Sequence, residues 1–216
     1  MIEIYTPAIK AVPYLEQLDI CNFERPPEGY IYVNQDHGKI SQNGQPLASE
    51  GFSSCSGLVL RNSRTLESAL FHLEGIDMSD NQRPIAAQFV INYMMGQGLD
   101  EREKQELILL IHAASRDWNK ISSDMREYPR QVRENLKSRM KQLNQDNPIK
   151  ACFVRGEESL DRKNRISEFL DYFGITSIED ILIETERSHW HMAYKPKESM
   201  ILVNSKSQRK ILSFPF

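Results

Sequence analysis

Cys55 and His72 stand seventeen residues apart with polar turn material between them. Ser53-Ser54-Cys55-Ser56-Gly57-Leu58-Val59-Leu60 reads as a loop entering a strand, Arg61 to Thr65 as a turn, and Glu67 to Leu73 as the returning strand. A hairpin centred between Ser63 and Arg64 sets Leu60 against Glu67, Leu58 against Ala69 and Cys55 against His72. Directly opposed side chains share a face, with Cβ atoms roughly 4.5–5.5 Å apart. A thiol and an imidazole at that spacing supply nucleophilic cysteine catalysis, in which the imidazole generates the attacking thiolate. A slip of one residue would put them on opposite faces, so the expectation is tied to the register. Gly51, Ser53, Ser54, Ser56 and Gly57 are small, which leaves room for a substrate backbone and for amide donors near the sulfur. Ser49, six residues ahead of Cys55, carries a hydroxyl suited to orienting the imidazole. The competing reading makes Cys55 a small buried hydrophobe at a strand edge.

The elements that must position these residues follow from local pattern. Gly29 to Asn34 reads as a strand, followed by Lys39-Ile40-Ser41, an Asn43-Gly44 turn and Pro46-Leu47. Both faces of the Cys55–His72 hairpin carry apolar residues, Leu58, Leu60, Ala69, Phe71 and Leu73 on one and Val59, Leu66 and Leu70 on the other, which places it deep in a sheet. Pro84 starts a helix with Ile85, Phe89 and Tyr93 on one stripe and Gly96 as its stop. Glu106 to Ala113 is a short continuous apolar run that reads as a buried strand. A helix from near Pro129 carries Val132, Leu136, Met140 and Leu143; Ala151 to Val154 is a strand; Arg165 to Phe173 is a helix stopped by Gly174. The tail is strand-rich: Ile181-Leu182-Ile183, Trp190 to Tyr194, a turn over Lys195–Glu198, and Met200 to Val203. Strands and helices mix without a βαβ rhythm, so the expected class is α+β with mixed sheets.

Composition limits the functions available. The chain has 27 basic and 30 acidic residues, a net charge of −3, which gives no general attraction to nucleic acid or membrane. Cys21, Cys55 and Cys152 are odd in number and widely spaced, forming neither a disulfide framework nor a zinc pattern. No stretch is apolar enough to span a bilayer, and the opening Met-Ile-Glu-Ile-Tyr-Thr-Pro lacks signal-peptide character. The expectation is a soluble protein made in the cytoplasm, any secretion being by a route without a cleaved signal. His189 and His191 share a strand face and are the weak beginning of a metal site, with Glu186 and His112 at no fixed spacing. Arg126, Arg130, Arg133, Lys137, Arg139 and Lys141 read as a solvated helix face, with docking of an acidic partner the lesser alternative.

Ser49-Glu50-Gly51-Phe52-Ser53-Ser54-Cys55 resembles the Thr-x-x-Leu-Gly-Ser-Cys signature of the CheD glutamine deamidases, whose histidine also follows the cysteine by seventeen residues. Related cysteine–histidine pairs occur in the cytotoxic necrotizing factor toxins. Tyr30 to Leu47, Arg165 to Ile175 and His191 to Val203 resemble the leading strands, late helix and closing hairpin of CheD, so the likeness covers roughly residues 30–205. Serine replaces the family's threonine, Phe52 its leucine and Ser53 its first motif glycine. The resemblance implies a CheD-like fold, mixed sheets packed as a central sandwich with flanking helices. It implies one catalytic domain over 29–216, with an N-terminal extension over 1–28 packed on it and a charged insertion around 98–147. It also implies a catalytic set of Cys55, His72 and Ser49, no metal or organic cofactor, and a protein substrate presenting an exposed glutamine. That target is a host protein met by a secreted effector or, alternatively, a chemoreceptor. A cysteine peptidase or transamidase and an inactive binding module of the same fold are the other readings.

Overall fold

The computed structural model describes residues 28–75, 77–116, 127–145, 148–156, 160–183, 190–205 and 210–216. The extension expected before Glu28, with Cys21, lies outside the described residues, as do Arg126, Glu186 and His189. In chain order the elements are β1 (Ile31–Tyr32), β2 (Gly38–Ser41), β3 (Leu47–Phe52), β4 (Ser56–Asn62), β5 (Ser68–Leu73), α1 (Arg83–Met95), α2 (Glu101–Arg116) and α3 (Glu127–Leu143). They continue with β6 (Ile149–Arg155), α4 (Leu160–Asp171), β7 (Ile178–Leu182), β8 (Trp190–Lys195), β9 (Met200–Ser205) and β10 (Lys210–Pro215).

The strands form two five-stranded mixed sheets, ordered β1-β3-β8-β9-β10 and β2-β5-β4-β6-β7. The expected α+β class with sheets packed as a sandwich is what the chain adopts. β4 and β5 are buried on both faces, because their sheet is the middle layer. Val59, Leu70, Cys152 and Val154 face the other sheet, against Phe52, Trp190, Met192 and Tyr194. Leu58, Leu60, Ala69, Phe71 and Leu73 face the helices, against Ala86, Phe89, Val90, Met140 and Phe169. Leu66 is the exception among the expected apolar faces: it sits exposed in the β4–β5 loop.

The hairpin register differs from the sequence expectation by two residues. Leu60 faces Ala69, Leu58 faces Phe71, and Gly57, not Cys55, faces His72. The loop is wider than a two-residue turn because Asn62 organises it. Its side-chain oxygen accepts from Arg64 N (3.0 Å), its carbonyl from Thr65 N, and its own N–H donates to Glu67 O (3.0 Å). An even slip preserves side-chain parity, so Cys55 and His72 still belong to the same face.

Glu106 to Ala113 is helical, inside α2, and not the strand its apolar run suggested. Leu107 and Ile111, four apart, are buried, whereas Leu109 is 70% exposed, which is helical rather than extended periodicity. Asp100 and Glu103 close a reciprocal capping box ahead of the run: Glu103 N donates to Asp100 Oδ1 (2.8 Å) and Asp100 N to Glu103 Oε2 (3.3 Å). α4 begins at Leu160, ahead of the expected Arg165, and this matters for the site.

Candidate active site

β4 begins where β5 and β6 end, since Gly57 pairs with both His72 and Val154. β7 runs parallel to β6, and β8 starts opposite the end of β3 at the Phe52–Trp190 pair. The segments containing Cys55, Glu74 and Gly75, and Gly156 therefore gather at one end of the sandwich. Cys55 lies in the link from β3 to β4, bridging the two sheets at that end.

A bulge in β3 brings two residues of that strand onto His72. Ser49 pairs with Met192 and Phe52 with Trp190, so three steps on β3 oppose two on β8. Gly51 supplies the bulge with φ +78°, a conformation that costs an L side chain roughly 1–2 kcal/mol. Without the extra residue, alternation would turn Phe52 outward whenever Ser49 points inward. With it, both face the space between the sheets. Ser49 Oγ lies 2.8 Å from His72 Nδ1, and the Phe52 ring stacks on the imidazole at 3.9 Å between centroids and 9° between planes. Trp190 stacks on the other face of Phe52 at 4.1 Å. Gly57 makes the space opposite: a Cβ there would run into Met192 Sδ.

The hydrogen bonds fix the state of the histidine. Ser49 Oγ lies 2.7 Å from Val33 O, and a carbonyl oxygen only accepts, so the single hydroxyl proton points there. Ser49 Oγ must then accept from His72 Nδ1, which carries the ring proton. Nε2 is left with its lone pair, fully buried and with no hydrogen-bond partner among the described residues. Burial, helped by the positive charge of Arg162, pushes the imidazole down to about 4, so it is neutral across the ordinary pH range. The backbone is held as firmly: His72 N donates to His37 O (3.0 Å), and Gln82 Nε2 donates to His72 O (2.6 Å).

Cys55 is 3% exposed. Burial raises its thiol above the usual range; Arg162 opposes that rise, Glu74 and Asp36 add to it, and the Ser53 backbone N–H donating to sulfur lowers it. Thiol and imidazole are thus both neutral at rest, and Sγ makes no hydrogen bond to Nε2. The structure joins Ser49 to His72 directly, whereas Cys55 packs in the same inter-sheet cluster as Phe52 and Trp190, two residues from the glycine that faces His72 and not opposite it.

Other sequence candidates take structural places. His191 is buried, and its Nδ1 accepts from Gly51 N (3.3 Å), tying β8 to the bulge. No group of three or more metal-ligating side chains occurs among the described residues. Cys152 is a buried free thiol inside the sandwich. Three cations of the basic helix face are in ion pairs and not simply solvated: Lys137 and Lys141 with Asp171, and Arg139 with Glu103 (2.6 Å). Sequence reasoning passed over Arg162, Gln82 and the stacking partner Trp190. Arg162 lies 106 to 108 residues from Ser56 and Ser54, to which it bonds, and no local pattern links them. No helix among the described residues is long and apolar enough to cross a membrane.

No protein-family model matches the chain, and no curated protein matches it significantly.

Proposed function

We propose that the protein is a cysteine-dependent protein-glutamine deamidase. The observation that carries the reading is the Ser49–His72 hydrogen bond, which leaves the basic nitrogen of a buried imidazole unpartnered at the end of the sandwich where Cys55 sits. Those three residues are also the ones on which the likeness to the CheD signature rests, with a serine hydroxyl in the threonine's place.

In this reading His72 Nε2 takes the Cys55 proton as Sγ bonds to the side-chain carbon of a glutamine on another protein. The carbonyl oxygen becomes an oxyanion held by backbone N–H groups of the Ser53–Ser56 loop. The imidazolium returns its proton to the amide nitrogen, the C–N bond breaks, and ammonia leaves a thioester. Water then gives a proton to Nε2 while its oxygen attacks the thioester; the C–S bond breaks, Sγ is reprotonated, and glutamate is released. Ser49 holds the tautomer and accepts from Nδ1–H throughout, including when the ring is charged. The neutral resting pair means that the thiolate forms as substrate arrives and is not stored beforehand.

The target is a protein with an exposed glutamine, and the chain's charged α2–α3 region favours a host protein over a chemoreceptor. The alternative of a binding module that has lost activity draws on the missing Sγ–Nε2 hydrogen bond. A proteome-wide search for glutamine-to-glutamate conversion in cells making the wild type or Cys55→Ala separates the two. Conversion at defined sites in the wild type alone supports the deamidase; identical proteomes refute it. Chain cleavage or isopeptide products in place of conversion point to a peptidase or transamidase.

A further inference from the structure

Arg162 stands in the first turn of α4 and reaches two separate segments at the Cys55 end of the sandwich. Nη1 donates to Ser54 O (2.8 Å) and Ser56 Oγ (2.9 Å), the residues on either side of Cys55. Nε donates to Gly75 O (2.5 Å) and Nη2 to Glu74 O (2.7 Å), three and two residues after His72. A guanidinium has five N–H donors in a rigid fork, and four of these bonds leave little freedom to it or to the chains it holds. Lysine, with a single point charge on a flexible stem, cannot span the same acceptors.

We infer that Arg162 is a positioning residue of the Cys55–His72 site, fastening the cysteine loop to the end of the histidine strand and supplying the fixed positive charge beside the sulfur. This rests on the deamidase reading for its link to turnover, but not for its link to the two titrating groups. The register explains the need for a fastener. Cys55 lies beyond the last ladder pair, Ser56–Leu73, so no strand hydrogen bond fixes its separation from His72. The four bonds of Arg162 replace the missing ladder.

The charge acts with opposite consequences on the two groups. It favours the thiolate of Cys55 and disfavours the imidazolium of His72. The charged groups acting on Cys55 are Arg162 from α4, Glu74 after β5 and Asp36 from the β1–β2 loop; Arg162 also acts on His72. His37 is exposed, and its backbone carbonyl accepts from His72 N. A cation there suits a reaction whose sulfur and oxygen turn negative while the imidazole must hand its proton on quickly.

The test uses the full chain with Arg162→Gln and Arg162→Lys. Cys55 is titrated by thiolate ultraviolet absorbance against matched Cys55→Ser backgrounds, and His72 by imidazole nitrogen spectra. Arg162→Gln should move both titrations to higher pH by about one unit. General loosening of the fold would instead bring both groups toward their solvent values, lowering the thiol and raising the imidazole. Arg162→Lys should leave the thiol within about half a unit of wild type, yet raise backbone amide exchange at residues 53–56 by about tenfold. Should Arg162→Gln not fold, the lysine variant decides alone: unchanged exchange at the loop overturns the inference, as do unmoved titrations in Arg162→Gln. If no deamidation is ever found but the titrations move as stated, the functional reading fails and the positioning role stands.

Discussion

Replacing Ser49 by alanine tests the hydrogen-bond arrangement on which the proposed chemistry depends. The hydroxyl is fully buried, donates to Val33 O at 2.7 Å and accepts from His72 Nδ1 at 2.8 Å. Alanine leaves a carbonyl and a ring N–H without partners, at about 1–3 kcal/mol for each buried group. Folding stability should fall by about 2–6 kcal/mol, read as a lower urea midpoint with unchanged slope. The same 1–3 kcal/mol no longer favours the Nδ1–H tautomer, so the tautomer ratio should move toward Nε2–H by about 5- to 150-fold at 1.36 kcal/mol per decade. Proton–nitrogen correlation spectra of the imidazole at neutral pH report the ratio directly. Ser49→Thr keeps the oxygen and should keep the wild-type tautomer. An Nε2–H tautomer in the wild type, or an unchanged ratio in Ser49→Ala, would refute the reasoning.

Three further outcomes follow from the same geometry. His72 titrates near 4 when folded and near 6.5 in a free chain, so the unfolded state binds more protons between these values. Stability is therefore full above about pH 6.5 and falls by about 3 kcal/mol as pH drops through 4, in a denaturant series that His72→Gln should flatten. Gly51→Ala forces a side chain onto φ +78° and should cost roughly 1–2 kcal/mol while loosening the Phe52–His72 stack; a stability gain would show that the bulge is not maintained in solution. Gly57→Ala drives a methyl into Met192 Sδ and should cost about 1–3 kcal/mol with altered Trp190 fluorescence; unchanged thermal unfolding would contradict that tight packing.

The sequence carried the hairpin, its two apolar faces and the α1 boundaries at Pro84 and Gly96 because these are local signals. The pairing of Ser49 with His72 was legible, whereas the expected opposition of Cys55 and His72 was not met, and two features that organise the site were not legible. The two-residue register error arose because Asn62's side chain widens the loop, and a count of turn residues does not see that bond. The bulge at Gly51 is invisible without β8, whose pairing with β3 joins residues far apart in the chain. Without the bulge, Phe52 reads as a departure from a motif when it is the imidazole's stacking partner. The apolar run within α2 taken alone suggests a strand, although Asp100 and Glu103 have the spacing of a helix start. Arg162 fell outside the expected helix because that helix begins five residues earlier than its apolar stripe.

The central claim is that His72 serves as the base for Cys55. Iodoacetamide, a small amide electrophile, measures this without knowledge of the natural target, by the rate of Cys55 modification between pH 5 and pH 8 in wild type and His72→Ala. The account predicts a wild-type rate nearly flat over that range, because the neutral base is already present above about 4, and a rate at least tenfold lower near pH 6 in His72→Ala. Equal rates in the two proteins, with both following the thiol's own ionisation, would contradict it.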